Sequence, residues 1–406
     1  MKEILKKVID RIKLSEEELE IIKSKTYEFC ENLKKRLKKK KISGEIFVGG
    51  SLAKKTLLKQ KNYDIDIFVR FESEKNLSDL LESVLSGLKF KRLHGSRDYF
   101  QIKKGKILFE IIPVKKISKP EQAENITDLS YFHVKYVLKK IKKNEKLIDE
   151  ILLAKSFCHA NKCYGAESYI RGFSGYALEL LIIYYRNFLR MIKNLKDVKE
   201  KLIIDMEKHY KNKRDVLIKM NEAKLKSPII FIDPTYKERN VLSSLSYETF
   251  LRFQKACKDF LSKPSEKFFE ERNLEKKNYD LVLKARTDKQ EGDIAGSKLL
   301  KFFKIIEREL EKYFLIREKE FEYSDGKTGK FYLKLKRKEE IIIRGPLIKD
   351  IENTNKFKNK HKKVFVRGGR IYAKEKSKNI KVILERFVKE KKELMRMMGI
   401  SDLEII

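Results

Sequence analysis

Two short stretches decide the fold of the N-terminal part of this chain: GGSLAKKT at residues 49–56 and DIDIFVRF at residues 64–71. Successive side chains alternate across an extended strand, so Asp64 and Asp66 fall on one face of the second stretch. The alternate residues are all apolar and supply a face that can be buried. The pattern therefore predicts a strand that holds two carboxylates side by side, in position to share divalent cations.

The first stretch is predicted to bind phosphate. Gly50 and Ser51 form a turn that is expected to open a short helix over 51–58, and the free N–H groups at such a helix start favour an anion. Nucleotidyl transfer, in which a hydroxyl attacks the α-phosphate of a nucleoside triphosphate and pyrophosphate leaves, uses phosphate binding together with metal-binding carboxylates. Magnesium prefers carboxylate and phosphate oxygens, so Mg²⁺ is the predicted cofactor.

A third acid is expected on a neighbouring strand. The segment GKILFEIIP (105–113) places Glu110 among apolar residues, where an acid is costly unless it is paired or bound to metal. A salt bridge to a nearby lysine would also satisfy Glu110, but its context favours metal ligation. We therefore predict Asp64, Asp66 and Glu110 as the catalytic, metal-binding acids.

The charge of the chain points to a polyanionic partner. The 406 residues include 96 Lys and Arg against 60 Asp and Glu, a formal net charge of +36. Nucleic acid is the leading candidate for the partner, and an anionic membrane surface is the second. Heat adaptation would enrich lysine and glutamate together, whereas here the cations are in large excess. The length itself indicates more than one domain.

The remaining composition predicts a cytoplasmic protein with no membrane segment. Four cysteines form no CxxC pair and have no histidines at zinc spacing, which is typical of reduced, unpaired thiols. The N-terminus is charged from Lys2 onward, unlike a signal peptide. The longest apolar run, 178–185, contains an acid and is far too short to span a bilayer.

Hydrophobic periodicity predicts an α+β fold in three parts. A capping box at Ser15 and Glu18 begins a helix. Strands are expected at 45–48, 64–71, 98–103 and 106–114, with a helix over 77–88, in a mixed α/β catalytic head over 1–120. Residues 121–262 are predicted to be mostly helical, including 146–160, 175–192 and 247–261.

Residues 263–406 are predicted to form a second α+β unit. Strands are expected at 279–286, 320–323, 330–337, 340–343, 363–366 and 370–374, with a helix over 292–314 and a last helix near the C-terminus. Asp325-Gly326 indicates a hairpin between two of these strands, and Gly368-Gly369 indicates a second turn.

Longer blocks downstream are more specific than the Gly-Ser and Asp-x-Asp pair, which occurs throughout polymerase-β-type nucleotidyltransferases. YGAESYIRGFSGYALELLIIYY (164–185) and FIDPTYKERNV (231–241) closely resemble the archaeal-type, class I CCA-adding enzymes, the tRNA nucleotidyltransferases. SYFH (130–133) and GGRIYA (368–373) resemble the same family, in the family's order. The RRD and EDxxR signatures of the bacterial and eukaryotic class are missing.

The resemblance implies a fold and an activity. It implies a polymerase-β-type head with a mixed sheet, a helical neck that completes the nucleotide pocket, and an RRM-like C-terminal body and tail that binds tRNA. The implied reaction is template-independent addition of C, C and A to the 3′ end of tRNA from CTP and ATP, including repair of incomplete ends. The positive charge would then serve the acceptor and T arms, and a homodimer is implied.

The resemblance also implies residue roles. Asp64, Asp66 and Glu110 match the three metal carboxylates. The nucleotide-binding residues are Gly50, Ser51 and Lys54 in the turn, Ser130 and His133 near the nucleotide, Lys155 on the phosphate side, Tyr164 on the sugar side and Arg239 at the base edge. The chain departs from the family at Lys54, where arginine is usual, and at Asp64 and Glu110, where Glu and Asp are usual. Each departure keeps the charge.

Two alternatives stay open. One is another RNA 3′-terminal nucleotidyltransferase, of the poly(A) or poly(U) polymerase type. The other is a non-catalytic RNA-binding protein on a retired transferase fold, although the presence of all three acids argues against it.

Overall fold

The computed structural model describes residues 1–72, 76–271, 274–288, 290–323, 326–377 and 379–406, and of residue 276 the backbone only. The chain divides into two units, Met1–Arg272 and Asn273–Ile406. Helices and strands occur in both units, which confirms the predicted α+β class. The described helices include none that is both long enough and apolar enough to cross a lipid bilayer.

The first unit begins with a mixed five-stranded sheet. Its elements are α1 (Lys2–Ile12), α2 (Glu16–Lys39), β1 (Glu45–Val48), α3 (Gly50–Ala53), β2 (Tyr63–Phe71), α4 (Leu77–Leu85), β3 (Lys91–Leu93), β4 (Tyr99–Lys104) and β5 (Ile107–Lys115). The strand order is β1-β2-β5-β4-β3, in which β2 and β5 are parallel and the other neighbours are antiparallel. The sheet therefore places the two acid-bearing strands next to each other.

Helices α2 and α4 cover the apolar face of this sheet. Helix α2 begins at the predicted capping box, where Ser15 Oγ accepts from the Glu18 N–H at 3.1 Å and the Glu18 carboxylate accepts from the Ser15 N–H at 3.1 Å. Ile65 and Ile67 are fully buried in the same core as both helices. The alternation predicted for residues 64–71 is confirmed.

The helix predicted over 51–58 is wrong in length. Helix α3 is a single turn, Gly50–Ala53. It ends early because Lys55 takes a left-handed φ of +60° and the chain then extends, so that Leu58 forms a β-bridge with Lys13. The turn at Gly50 and Ser51 is therefore present, but the helix behind it is a single turn.

The rest of the first unit is mainly helical. Its elements are α5 (Ser130–Lys143), α6 (Lys146–Ala160), α7 (Gly175–Tyr185), α8 (Phe188–Leu195), β6 (Leu202–Ile204), α9 (Lys213–Lys219), β7 (Ile229–Asp233), β8 (Tyr236–Asn240) and α10 (Tyr247–Ser262). Short 3₁₀ turns occupy Pro120–Gln122, Ile126–Leu129, Glu222–Leu225 and Glu266–Phe269. Helices α6, α7, α8 and α10 share one apolar core. The small sheet β6-β7-β8 was not predicted.

The single helix predicted over 175–192 is wrong, because the chain breaks between α7 and α8. Arg186 takes a left-handed φ of +72°, and the Asn187 side chain then caps α8 by accepting from the Arg190 N–H at 2.8 Å. The Glu150 carboxylate accepts from the Phe188 N–H at 2.7 Å. These two side chains accept hydrogen bonds from N–H groups that would otherwise be free at the start of α8. Hydrophobic periodicity alone does not reveal such a helix start.

The second unit contains two sheets and four helices in its described residues. Its elements are β9 (Leu281–Thr287), α11 (Gly292–Leu310), β10 (Phe314–Tyr323), β11 (Thr328–Arg337), β12 (Glu340–Leu347), α12 (Ile351–Lys360), β13 (Val364–Arg367), β14 (Arg370–Lys376), α13 (Ile380–Glu390), α14 (Lys392–Met398) and β15 (Ile400–Ile405), with a 3₁₀ turn at Leu274–Lys276. The sheet orders are β10-β11-β9-β15 and β12-β14-β13.

Both predicted turns of this unit join paired strands. Strands β10 and β11 pair antiparallel, as the hairpin prediction requires, although Asp325 itself lies outside the described residues. Strands β13 and β14 pair around Gly368 and Gly369, whose φ values of +56° and +69° favour glycine. The helix expected over 292–314 ends at Leu310 instead, and strand β15 was not predicted.

Candidate active site

The three predicted acids lie on adjacent strands. Asp64 and Asp66 project from β2, and Asp66 is paired directly with Glu110 of β5 in the parallel register. The Gly50 turn lies against them, since a Cβ at Gly50 would stand 1.7 Å from Asp66 Oδ2. The Gly49 N–H also donates to the Asp66 carbonyl at 2.9 Å. Close packing thus requires glycine at position 50 and places the turn beside a carboxylate.

The charges of these acids are poorly compensated by the protein. Burial raises the pKa of Asp64 and of Asp66, and for Asp66 the Lys54 ammonium partly opposes that rise. Burial together with the charge of Asp66 raises the pKa of Glu110 to about 7. Gln101 Nε2 donates to Glu110 Oε1 at 2.7 Å and holds that carboxylate in place.

This arrangement fits a divalent cation, because carboxylates that repel one another are stabilised by a shared positive ion. Among the described residues, however, no group of three or more His, Cys, Asp or Glu side chains is arranged to hold a metal ion by itself. Mg²⁺ is usually bound by one or two carboxylates together with water and substrate phosphates. The acids here match that partial ligand set.

The predicted phosphate lysines meet at a buried acid that the sequence prediction missed. Lys54 Nζ donates to Glu179 Oε2 at 2.5 Å, and Lys155 Nζ donates to Glu179 Oε1 at 2.8 Å. Thr56 Oγ1 accepts from Lys155 at 2.8 Å and donates to Glu179 at 3.0 Å. We call Lys54, Thr56, Lys155 and Glu179 the lysine cluster. Glu179 and Thr56 are fully buried in it.

Electrostatics within the lysine cluster keep Glu179 ionised. Burial alone would raise the pKa of Glu179, but the ammonium charges of Lys155 and Lys54 outweigh it and lower that pKa to about 2. Burial lowers the pKa of Lys155, against the opposing effect of Glu179. One carboxylate is thus shared by two buried cations, a geometry that stays stable only while every partner remains.

A second cluster forms around Asp233, which is fully buried at the end of β7. Arg239 Nη1 lies 2.9 Å from both Asp233 Oδ2 and His133 Nε2. The Tyr176 hydroxyl donates to Asp233 Oδ1 at 3.1 Å, and its ring stacks on His133 with 4.2 Å between centroids. We call His133, Tyr176, Asp233 and Arg239 the arginine cluster.

Burial would raise the pKa of Asp233, but His133 and Arg239 outweigh it and hold that pKa well below its usual range. Helix α7 joins the two clusters, because it carries both Tyr176 and Glu179. The Tyr176 ring lies 6.0 Å from Lys54 Nζ and 5.6 Å from the Arg239 guanidinium carbon. The predicted phosphate-side and base-side residues are therefore connected through one helix.

Tyr164, Ser51 and Ser130 are placed near these clusters by their elements. The Tyr164 ring stacks on His159 at 3.8 Å, and its hydroxyl lies 2.8 Å from where a Cβ at Gly175 would stand. Glycine at the start of α7 therefore makes room for the tyrosine. Ser51 lies in α3, and Ser130 begins α5 one turn before His133.

A cavity of about 710 Å³ adjoins Asp64. Asp64, Lys103 and Leu108 line it from the sheet, and Ser156 and His159 line it from α6. The cavity therefore gives a ligand room beside Asp64, whereas Asp66 and Glu110 are not among its lining residues.

The sequence prediction missed Thr56, Tyr176, Glu179 and Asp233. A signal for Glu179 existed, because it is the acid in the apolar run GYALELLIIYY, the same kind of context that identified Glu110. Asp233 stands in the FIDP block, whose resemblance pointed only to Arg239. Thr56 and Tyr176 carried no signal of their own.

Comparison with known proteins gives two family matches. Residues 30–157 match the nucleotidyltransferase domain, and residues 149–270 match the tRNA nucleotidyltransferase second domain. Together these ranges include all the predicted site residues.

Curated relatives extend the similarity along most of the chain. A CCA-adding enzyme of Nanoarchaeum equitans is 36% identical over 341 residues, which are 81% of this chain and 83% of the relative. A CCA-adding enzyme of Methanocaldococcus jannaschii is 31% identical over 403 residues, 92% of this chain and 87% of the relative.

Solved structures share the fold at low identity. A cytoplasmic RNA terminal U-transferase superposes with a TM-score of 0.51 at 17% identity, covering 68% of this chain and all of that chain. Cid1, an RNA terminal uridylyl transferase, superposes with a TM-score of 0.52 at 15% identity, covering 67% of this chain and 98% of that chain. At this identity the likeness concerns the fold alone.

Proposed function

Because this chain belongs to the CCA-adding enzyme family, we propose that it adds C, C and A, without a template, to the 3′ end of tRNA and repairs incomplete ends. CTP and ATP are the proposed substrates. The observation that carries the proposal is the direct pairing of Asp66 with Glu110 beneath the Gly50 turn. That pairing brings acids and a phosphate-binding turn together, as nucleotidyl transfer requires.

Asp64 and Asp66 would hold two divalent metal ions, which we propose to be Mg²⁺, and Glu110 would hold one of them. When bound, the metals supply activation of the attacking 3′-hydroxyl and neutralisation of the departing pyrophosphate. Glu110, on the strand farther from the turn, is proposed to face the tRNA 3′-hydroxyl. Gln101 orients Glu110 by its hydrogen bond.

Nucleotide binding is assigned to the two clusters and the turn. Gly50, Ser51, Lys54 and Lys155 are proposed to bind the triphosphate, with the ammonium groups acting as point charges. Arg239 is proposed to read the base edge, because a planar guanidinium can hydrogen-bond such an edge in a fixed geometry. Ser130, His133 and Tyr164 are proposed to line the sugar and base side.

The three-part organisation is part of the proposal. Residues 1–120 would form the catalytic head, 121–262 the neck and 263–406 the body and tail. The last part is proposed to bind the acceptor and T arms, whose A-form backbone is recognised through shape and phosphates. The net charge of +36 suits that role and implies that tRNA affinity falls steeply with salt. A homodimer and a cytoplasmic location complete the proposal.

The decisive experiment uses tRNA that lacks its CCA end, with labelled CTP and ATP. We expect incorporation to stop after C, C and A. Growth of a homopolymer would instead support a poly(A) or poly(U) polymerase. No incorporation by the folded protein would support a non-catalytic RNA-binding protein.

A further inference from the structure

The two predicted phosphate lysines have different hydrogen-bonding capacity left for a ligand. An ammonium group has three N–H donors. Lys155 Nζ uses all three, on Glu179 Oε1, on Thr56 Oγ1 and, at 3.3 Å, on the Thr56 carbonyl. Among the described residues, Lys54 Nζ makes one hydrogen bond, to Glu179. Two donors of Lys54 therefore remain for a ligand.

Lys54 is held directly behind the Gly50-Ser51 turn, where the triphosphate is proposed to bind. It follows α3, whose first residue lies against Asp66. Burial raises the pKa of Asp66, and the Lys54 charge partly opposes that rise. The Lys54 side chain is only 8% exposed, so it has little freedom to swing elsewhere. Its position is set by Glu179, the hydrogen-bond partner at its charged end.

We propose that Glu179 is a positioning residue for the nucleoside triphosphate: it holds Lys54 beside the Gly50-Ser51 turn with two donors directed to the phosphates, and it fixes Lys155, whose donors are all used, as a cation that acts on the phosphates through its charge alone. This inference rests on the proposed function. Glu179 does not touch the substrate. It acts through Lys54, and Thr56 completes the hydrogen bonds that keep the shared carboxylate in one orientation.

The charges around Glu179 indicate whether loss of its carboxylate should weaken or tighten triphosphate binding. Removing the carboxylate charge leaves two buried ammonium groups that repel each other and have lost the carboxylate that they share. Lys54 can then no longer remain in its present position at low cost. An opposing effect exists, because Glu179 itself repels phosphate. If that repulsion dominated, loss of the carboxylate would tighten triphosphate binding, which makes the sign of the change informative.

The test compares CTP with CMP, measured by calorimetry on the full chain. For Glu179→Gln we expect CTP binding to weaken about tenfold or more, because charge-assisted contacts to the outer phosphates are lost. CMP binding should stay within about twofold, since the arginine cluster keeps its own acid, Asp233. A merely structural role would weaken both ligands equally, because α7 also carries Tyr176.

Two further variants keep the test decisive. Glu179→Asp retains the charge but is one methylene shorter and cannot reach both ammonium groups as before, so CTP binding should weaken by a smaller factor. This variant carries the test if Glu179→Gln does not fold. Glu150→Gln is the matched control, because Glu150 is a half-buried acid on α6 whose partner is the Phe188 N–H rather than a lysine.

The outcomes separate the two proposals. Wild-type protein that binds no CTP contradicts the proposed function and this inference with it. Wild-type protein that binds CTP, together with folded Glu179 variants that bind CTP equally well or more tightly, contradicts only the positioning role. Equal losses for CTP and CMP also contradict it. A loss confined to CTP supports it.

Discussion

The acids of the five-stranded sheet and the acids of the two clusters contrast sharply. Asp66 and Glu110 face other carboxylates, and their pKa values are raised. Glu179 and Asp233 each contact two cationic or imidazole side chains, and their pKa values are lowered although both are fully buried. Burial raises the pKa of all four, so the neighbours decide the outcome. Asp66 and Glu110 therefore suit a cation supplied from solution, whereas Glu179 and Asp233 are already paired with side chains of the protein.

The largest expected effect concerns Asp66. Asp66→Asn preserves the size of the side chain but removes a charge that the bound metal needs, so we expect single-turnover CMP incorporation into tRNA to fall on the order of 1,000-fold. Asp10→Asn, at an exposed acid of α1, is the control and should keep wild-type activity. Retention of a tenth or more of the activity by Asp66→Asn would place the metal acids elsewhere.

The second-largest expected effect concerns Asp233, one of the two buried acids that are paired with cationic side chains. Asp233→Asn leaves Arg239, whose side chain is 20% exposed, and His133 without their carboxylate. Breaking a fully buried pair costs about 3–5 kcal/mol of the free energy of unfolding, and the partial exposure of Arg239 places the expected loss at the lower end, about 3 kcal/mol. Urea unfolding measures this loss. Asp215→Asn removes an exposed ion pair with Lys219 and should change stability by less than about 1 kcal/mol. Similar losses for both variants would remove the distinction between buried and surface acids.

Removing the charge of Glu110 is expected to change stability in the opposite direction from removing that of Asp233. Its folded pKa of about 7 exceeds the ordinary value of 4.5, so the folded state binds more protons than the unfolded state between these pH values. The metal-free protein should therefore lose stability as pH rises from about 4.5 through about 7. Glu110→Gln should stabilise the metal-free protein by roughly 1–3 kcal/mol near pH 8, and by little near pH 5.

Unfolding by urea in the presence of a chelator measures the Glu110 effect at both pH values. Added Mg²⁺ should stabilise the wild-type protein near pH 8 more than it stabilises Glu110→Gln. If Glu110→Gln destabilised the metal-free protein near pH 8, the carboxylate would have a compensating partner, and the contrast with Asp233 would fail.

The smallest expected effect concerns Gln101. Gln101→Leu removes the hydrogen bond that favours the ionised form of Glu110, a contribution of about 1 kcal/mol. The folded pKa of Glu110 then rises further, so the stability loss of the metal-free protein should still begin near pH 4.5 but continue to a higher pH than in the wild-type protein. An unchanged pH profile would show that Gln101 does not act on Glu110.

Much of the fold followed from local patterns, and the confirmed family resemblance followed from longer blocks. The alternation in β2 and the capping box of α2 depend on residues close in sequence, which is why both were predicted correctly. The break at Arg186 and Asn187 was missed, because Glu150 and the Asn187 cap act through contacts that periodicity does not contain. The length of α3 was wrong for a similar reason, since Leu58 pairs with distant Lys13.

The candidate site, like the fold, was only partly predictable from the sequence. Residue identity and local pattern were enough to show which side chains carry charge, which strand bears the acids and which family the chain resembles. Which acids have cationic partners depends on the folded chain, because Lys54 and Glu179 stand 125 positions apart in the sequence and meet at 2.5 Å. A side chain's pKa and its free donors depend on neighbours in space. For that reason, only the folded chain shows that Glu179 and Asp233 are paired with cations, whereas Asp66 and Glu110 are left to bind a metal.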